Sequence, residues 1–446
     1  MPSSIDDKIT KPLRIVMPVQ ALESTGGMQR FEAELANYLA KQGHCLYCFA
    51  PCAPGSTPRF KYDERVHIVH YKKNGSKQGL ATLRQQILQC EADVVLVPCT
   101  SNLAVFWCAA LIGTDVALLY SEHGNPWAMM NGRWNKSERE ATLWLADGIH
   151  VLMPNFVQSI PEALRGKVRS IFNPLTLPLR GTCNVASPLS REYFTLLSLG
   201  RLESKAKQLN VLIAAFALLA YDFPKWKLDI WGTGSDEKAL QQQIEQLPQE
   251  LQQRVRLCGL AKTPTEQYST ADIFCIPSRF EGFGLTVTEA MSQCVPVVGF
   301  AGCSGVNGLV HHEENGLLAP EMTPESLAGE LRRLMEDNQL RQRLGQQAQE
   351  DAKSFAPECI YPQWEELIYQ TAACKGHTRR SLLDSDDISQ EERVYQETFH
   401  RLLKRRNIRK EPRIYRNLRR WLRKHPQYTN KVNALLRLFG FDTVRM

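Results

Sequence analysis

Two glutamates in the stretch Arg-Phe-Glu-Gly-Phe-Gly-Leu-Thr-Val-Thr-Glu-Ala-Met, residues 279–291, have types and spacing that could do chemistry. Glu281 and Glu289 have seven residues between them. The apolar run 273–276 reads as a strand, and a helix begins near Leu285. Glu281 then falls on the strand-to-helix loop and Glu289 about one turn into the helix. Gly282 and Gly284 let backbone amides approach a ligand closely. The N-terminus of the helix can hold an anionic group such as a diphosphate. One carboxylate can grip sugar hydroxyls while the other reaches a ribose. The same spacing also describes a capped helix with two surface glutamates, and spacing alone leaves both readings open.

Other loops carry matching chemistry. Gly200-Arg201-Leu202 follows a strand end, and Lys205 and Lys207 come within seven residues of it. A guanidinium and an ammonium beside one loop suit a diphosphate. Gly232-Thr-Gly234 follows the next strand, and Gly302-Cys-Ser-Gly305 follows a later one. Each is a turn or a solvated charge when taken singly. Together they point to phosphate binding at one edge of a sheet. His123, in Ser-Glu-His-Gly-Asn-Pro (121–126), follows the strand 117–120. A lone histidine there is more often structural than reactive.

The elements that must position these residues repeat one pattern. Short apolar strands at 13–18, 45–50, 66–71, 93–98, 117–122 and 149–153 alternate with helical stretches such as 28–43. The pattern restarts after a turn-rich stretch at 178–190, with strands at 194–199, 226–231, 255–258, 273–276 and 296–299 and a helix at 208–221. Alternation of this kind predicts an α/β chain: two doubly wound, Rossmann-like parallel-sheet domains in tandem, facing a cleft. The expected divisions are residues 1–178, 190–355, a closing helix at 356–374 packing back on the body, and a basic helical extension at 375–446. Ligands on such sheets bind beyond the carboxyl ends of the strands, where strand order reverses.

Composition narrows the function classes. The chain has 446 residues, 43% of them hydrophobic and 23% charged, an ordinary globular balance that excludes collagenous and wholly disordered readings. The longest nearly apolar run, 209–221, is far short of a membrane span. The first residues, MPSSIDDKITK, lack a signal-peptide core, so a cytoplasmic location is expected. Thirteen scattered cysteines argue for thiols rather than a disulfide framework. Cys45, Cys48 and Cys52 have metal-like spacing, but Cys45 and Cys48 lie on a strand where positions three apart face opposite sides.

At this point the sequence resembles a known family. GRL…K, ADIFCIPSRFEGFGLTVTEAMSQCVPVV and ENGLL, in this order, look like the pattern of glycosyltransferase family 4. The resemblance covers about residues 13–372 and is strongest over 195–320. It implies the GT-B fold, a nucleotide-activated sugar donor and retention of anomeric configuration. By the same resemblance, Glu281 binds donor-sugar hydroxyls, with the backbone of Phe283, Gly284 and Leu285 close to sugar and diphosphate. Glu289 binds the ribose, and Arg201 and Lys207 neutralise the diphosphate. Gly26-Gly27 closes on the diphosphate from the other domain, and His123 faces the donor sugar near the reacting centre. Asn173-Pro174 resembles a structural turn before the linker.

The chain also departs from the family. The spacing from Arg201 to the lysine is about one residue longer than in many members, which leaves Lys205 as the alternative to Lys207. Gly308 stands where many members have an acidic residue. No Asp-x-Asp motif occurs within residues 13–372, the part that resembles the family, so no metal and no cofactor are expected beyond the donor itself, a UDP-sugar by family frequency. The readings weighed against a transferase are a sugar-phosphate enzyme of the same fold, such as an epimerase or phosphorylase, and a silent nucleotide-sugar-binding subunit.

Charge is unevenly spread. Residues 375–446 hold 19 Lys and Arg against 8 Asp and Glu, a net of +11, while the rest of the chain is mildly acidic. Nucleic acid is therefore not an expected partner of the main domains. Residues 401–424 hold twelve basic residues interleaved with Leu402, Leu403, Ile408, Ile414, Leu418 and Trp421. Pro412 splits them into two helical stretches. Basic amphipathic helices read as membrane-surface segments, with a self-packed hairpin as the alternative. The expected partners are a nucleotide sugar, a glycan or lipid-linked acceptor in surface-polysaccharide synthesis, and an anionic membrane surface on the inner face of the cell membrane.

Overall fold

Strands buried on both faces read as continuous apolar runs, and Val94–Pro98 (VVLVP) is buried at every position. In the computed structural model such runs form two parallel sheets. The structure describes residues 11–24, 26–53, 55–71, 77–98, 103–130, 136–181, 192–261 and 263–376. The basic extension, including 401–424, lies outside the described residues.

The first sheet contains β1 (Arg14–Pro18), β2 (Cys45–Ala50), β3 (Val66–His70), β4 (Val94–Pro98), β5 (Ala117–Glu122), β6 (Gly148–Val151) and β7 (Val168–Ser170). Its spatial order is β3-β2-β1-β4-β5-β6-β7. The second contains β8 (Phe194–Leu199), β9 (Trp226–Trp231), β10 (Val255–Leu257), β11 (Ile273–Ile276), β12 (Val297–Phe300) and β13 (Gly316–Ala319), in the order β10-β9-β8-β11-β12-β13. Every strand pair is parallel, with Phe274 of β11 opposite Leu197 of β8. Order reverses beside β1 in one sheet and beside β8 in the other, and the crevice at a reversal is where such sheets take ligands.

Two strands escape the sequence pattern. The run Val-Arg-Ser of β7 is short and polar at its second and third positions. Strand β13 opens on Gly316, where a side chain would come within 2.6 Å of the Val297 carbonyl oxygen. The remaining strand ends agree with expectation to within one or two residues.

The last described helix, Pro357–Ala372, returns from the second sheet to the first core. Trp364 is fully buried there, 5.1 Å from the Phe31 ring and 4.2 Å from the His150 ring. Tyr361 donates to Glu34, and Tyr38 and His44 hold the two oxygens of Glu365. Among the described residues no helix is long and apolar enough to cross a membrane. Cys45, Cys48 and Cys52 are free thiols, whereas Cys294 is disulfide-bonded.

Candidate functional site

The reversal beside β8 brings together two loops that are more than seventy residues apart in the chain. One runs from Gly200 through the short helix Ser204–Lys207. The other leaves β11 and enters the helix Leu285–Ser292. They meet at an ion pair between the Lys207 ammonium and Glu281 Oε1. Ser278 donates its hydroxyl to the same oxygen at 2.7 Å. The two side chains are only 21% and 11% exposed, so this charge pair is largely shielded from water. Lys205 is exposed, and it is Lys207 that reaches Glu281.

Glycines let the supporting turns press together. Leu202 N–H donates to the Thr233 carbonyl and Gly200 N–H to the Trp231 carbonyl, joining the loops after β8 and β9. A side chain at Gly232 would collide with the Gly200 carbonyl. Gly284, with φ +83°, takes the left-handed turn that starts the helix at Leu285. Arg201 sits at the rim, 73% exposed and 3.6 Å from Glu203, a pair that solvent screens heavily.

Glu289 lies one turn into that helix. Both its oxygens are held: Oε1 by the Thr176 hydroxyl at 2.6 Å, Oε2 by the Tyr268 hydroxyl at 2.9 Å. Burial raises its pKa above the ordinary carboxylate value, while the two hydroxyls and Arg30 oppose that shift. Arg30 also donates to the Thr176 carbonyl at 2.7 Å, so the linker residue Thr176 ties Glu289 to the first domain. Phe283 is buried against Phe172 and Phe355, each with its ring centroid 5.9 Å away. The Cys303 thiol is pushed up to about 12, by burial first and then by the charge of Glu281, so it is an inert group beside the pair.

The first domain closes the cleft from the opposite side. A side chain at Gly27 would reach within 2.5 Å of Leu285 Cδ1, so this glycine admits the close contact between halves. Gly26, extended at φ 173°, precedes the helix Gly27–Lys41. A side chain at Gly282 would sit 3.2 Å from Gly124 Cα, and one at Gly308 would collide with Met153. His123 thus stands next to a residue that abuts the Glu281 loop. Its own ring is packed among Phe31 at 4.6 Å, His150 at 5.4 Å and Trp364 at 6.0 Å, with Nε2 buried and lacking a hydrogen-bond partner. Burial, with His150 adding to it, holds its pKa well below the ordinary histidine value, so the ring is neutral. His150 Nε2 lies 2.8 Å from the Ile171 carbonyl, which makes it the protonated nitrogen; Nδ1 then accepts from Ser121.

Sequence reasoning missed Ser278, Thr176, Tyr268, Asn125 and Ser304. Their partners lie up to 179 residues away, and single hydroxyls and amides carry no spacing signal.

Residues 25–175 match the family described as Glycosyltransferase Family 4, and residues 185–351 match Glycosyl transferases group 1. An uncharacterized glycosyltransferase of Haemophilus influenzae is 26% identical over 367 residues, spanning 78% of this chain and 98% of the relative. A Campylobacter jejuni enzyme, N-acetylgalactosamine-N,N'-diacetylbacillosaminyl-diphospho-undecaprenol 4-alpha-N-acetylgalactosaminyltransferase, is 27% identical over 70% of this chain and 83% of its own length. The crystal structure of Anabaena Alr3699/HepE in complex with UDP superposes with a TM-score of 0.64 at 18% identity, over 80% of this chain and 99% of that one. At that identity the likeness concerns the fold.

Proposed function

We propose, from the premise that the chain belongs to the family 4 glycosyltransferases of GT-B type, that it moves a hexose from a UDP-sugar to a glycan or lipid-linked acceptor with retention of configuration. The observation that carries this is the shielded Lys207–Glu281 pair at the sheet reversal beside β8. Glu281 holds donor-sugar hydroxyls, and Lys207 turns to the diphosphate when it arrives. Arg201, exposed at the same rim, is free to join it. The amides of Phe283, Gly284 and Leu285 and the dipole of the helix Leu285–Ser292 add fixed positive potential. Glu289 exchanges the Thr176 hydroxyl for a ribose hydroxyl. His123, a neutral ring beside the cleft loop, borders the sugar, and Gly26-Gly27 bring the first domain onto the diphosphate.

In the reaction the bond from the anomeric carbon to the phosphate oxygen breaks, and the electron pair leaves with the nucleotide diphosphate. The acceptor oxygen bonds to the same face of the short-lived oxocarbenium ion. The acceptor proton passes to a departing phosphate oxygen. Every charge in this scheme is met by a side chain or a helix end, so turnover is expected to persist in EDTA. UDP is favoured as the nucleotide because a Streptococcus gordonii relative, 30% identical over 32% of this chain, bears the name UDP-N-acetylglucosamine--peptide N-acetylglucosaminyltransferase GtfA subunit. A lipid-linked acceptor is favoured by the printed activity of the Campylobacter relative. Incubation with UDP-, GDP- and ADP-sugars, reading nucleotide diphosphate release with and without EDTA, tests the proposal. Release from none of them, or release that needs Mg²⁺ or Mn²⁺ restored, contradicts it.

The basic segment 401–424 fits the lipid side of this proposal by placing the protein on an anionic membrane surface. A chain ending at Ala373 should lose cosedimentation with anionic liposomes and keep slow donor turnover. Equal liposome binding by both chains would refute the membrane role.

A further inference from the structure

Asn125 follows the His123-Gly124 turn at the end of β5, and its side-chain amide is used completely. Its Oδ1 accepts from the backbone N–H groups of Trp127 and Ala128, each at 3.1 Å, and so caps the helix Pro126–Met130. Its Nδ2 points across the cleft. It donates to the backbone carbonyl of Glu281 at 3.0 Å and to the Ser304 hydroxyl at 2.8 Å. Both amide protons and both oxygen lone pairs are thereby occupied. The orientation is fixed by these partners: a flipped amide would set its NH₂ against two backbone N–H groups and its oxygen against the Glu281 carbonyl. The residue is 6% exposed, so little water is available to replace a lost partner.

The surroundings bring this contact about. A side chain at Gly282 would sit 3.2 Å from Gly124 Cα, so the two backbones approach closely there. Asn155, from the loop after β6, donates to the Ser304 carbonyl at 3.2 Å. A side chain at Gly305 would strike the Glu281 carbonyl. The first domain therefore grips the backbone of the loop that carries Glu281, and among the described residues it does so through the Asn125 amide.

We propose that Asn125 is a positioning residue that couples closure of the two halves to the setting of the Glu281 loop. A peptide unit is a rigid plane, so fixing the carbonyl of Glu281 also fixes the direction of the Gly282 N–H, the first amide on the path into the helix at Leu285. When the halves part, Asn125 leaves with the first domain and this peptide is released. When they close on donor and acceptor, the peptide is set, and the Glu281 side chain is held with it. The proposal rests on Glu281 acting on the donor sugar.

The test is Asn125→Asp in the full chain. The substituted side chain keeps an oxygen for the helix cap, and an anion there suits the helix N-terminus. It replaces the donor nitrogen with an oxygen facing the Glu281 carbonyl, so the cap stays and the grip is lost. Measurements are kcat and KM for nucleotide diphosphate release from the best donor of the panel, the Kd for UDP, and Tm. We expect kcat to fall about tenfold or more, with the UDP Kd unchanged and Tm only about 2–4 °C lower from the lost buried hydrogen bonds. Ser304→Ala, which spares the Glu281 contact, should lower kcat only about twofold. Wild-type kcat in Asn125→Asp, or a fall in kcat that comes with a matching loss of UDP affinity or with loss of folded protein at the assay temperature, overturns the proposal. Glu281→Gln assayed alongside separates the failures. If it turns over normally, the donor reading itself fails. If it is inactive and Asn125→Asp is not, only the coupling fails.

Discussion

The loops beyond the second sheet and those beyond the first solve opposite problems. After β8, β9, β11 and β12 the chain brings backbones together: Gly200 with Gly232, Leu202 with Gly234, Glu281 with Gly305. Only glycine allows such contacts, and the ion pair Lys207–Glu281 stands on the platform they make. The first domain sets ionisable side chains in its core. Arg139 forms a two-bond pair with Glu122 at 2.6 and 2.7 Å, both almost wholly buried. His44 meets Glu365, and Glu32 is 1% exposed with Oε1 lacking a partner. A donor diphosphate bound as proposed would need backbone amides and fixed cations at short range, which the glycine platform offers. The buried charges of the first domain hold its core and the returning helix, and its share in the site comes through Asn125, His123 and Gly27.

If this division is right, substitutions on the platform change turnover and those in the first domain's buried charges change stability. The largest effect is expected for Glu281→Gln, which keeps size and removes charge. Donor turnover should fall about 10²-fold or more, a loss of ~3 kcal/mol, with Tm retained. Near-normal turnover would break the comparison at its strongest point.

Lys207→Met comes next. It removes the cation that faces Glu281 and should lower turnover by roughly tenfold to a hundredfold, while Lys205→Met changes it less than about twofold. The reverse ranking, in steady-state assays of both variants, would move the diphosphate to the exposed lysine.

The smallest effect belongs to the first domain. Burial pushes the Glu32 carboxyl up to about 8 from its ordinary 4.5, with a backbone hydrogen bond from Gln20 opposing. Between about pH 4.5 and 8 the folded chain holds a proton there that the unfolded chain has released. Stability contributed at this position therefore falls as pH rises through that window. Glu32→Gln should raise Tm by about 3 °C or more near pH 8.5, by less near pH 5, and leave turnover alone. Melting curves at the two pH values check it; a gain that is equal at both would show that Glu32 is not the titrating group.

These same differences explain what could be read from the chain beforehand. The parallel sheets, the closing helix and the Glu281–Glu289 loop were legible because apolar runs and glycines mark local geometry. Strand β13 was hidden by its opening glycine and β7 by its polar residues. Within the site, spacing leaves Lys205 as an alternative to Lys207 for the diphosphate, because a four-residue helix and a left-handed residue at Gln208, φ 47°, decide which side chain turns inward. Asn125, Ser304, Thr176 and Tyr268 were silent because their partners come from distant segments brought together only by the fold.

A nucleotide diphosphate seated, as proposed, on the glycine platform of the second domain would shield the backbone amides there. Amide hydrogen exchange with and without saturating UDP tests it most directly. The account predicts slowed exchange concentrated in residues 200–207, 282–289 and 302–306, with the outer strands β2 and β3 of the first sheet unchanged. Slowed exchange confined to the first domain, or none anywhere at saturating UDP, would contradict it.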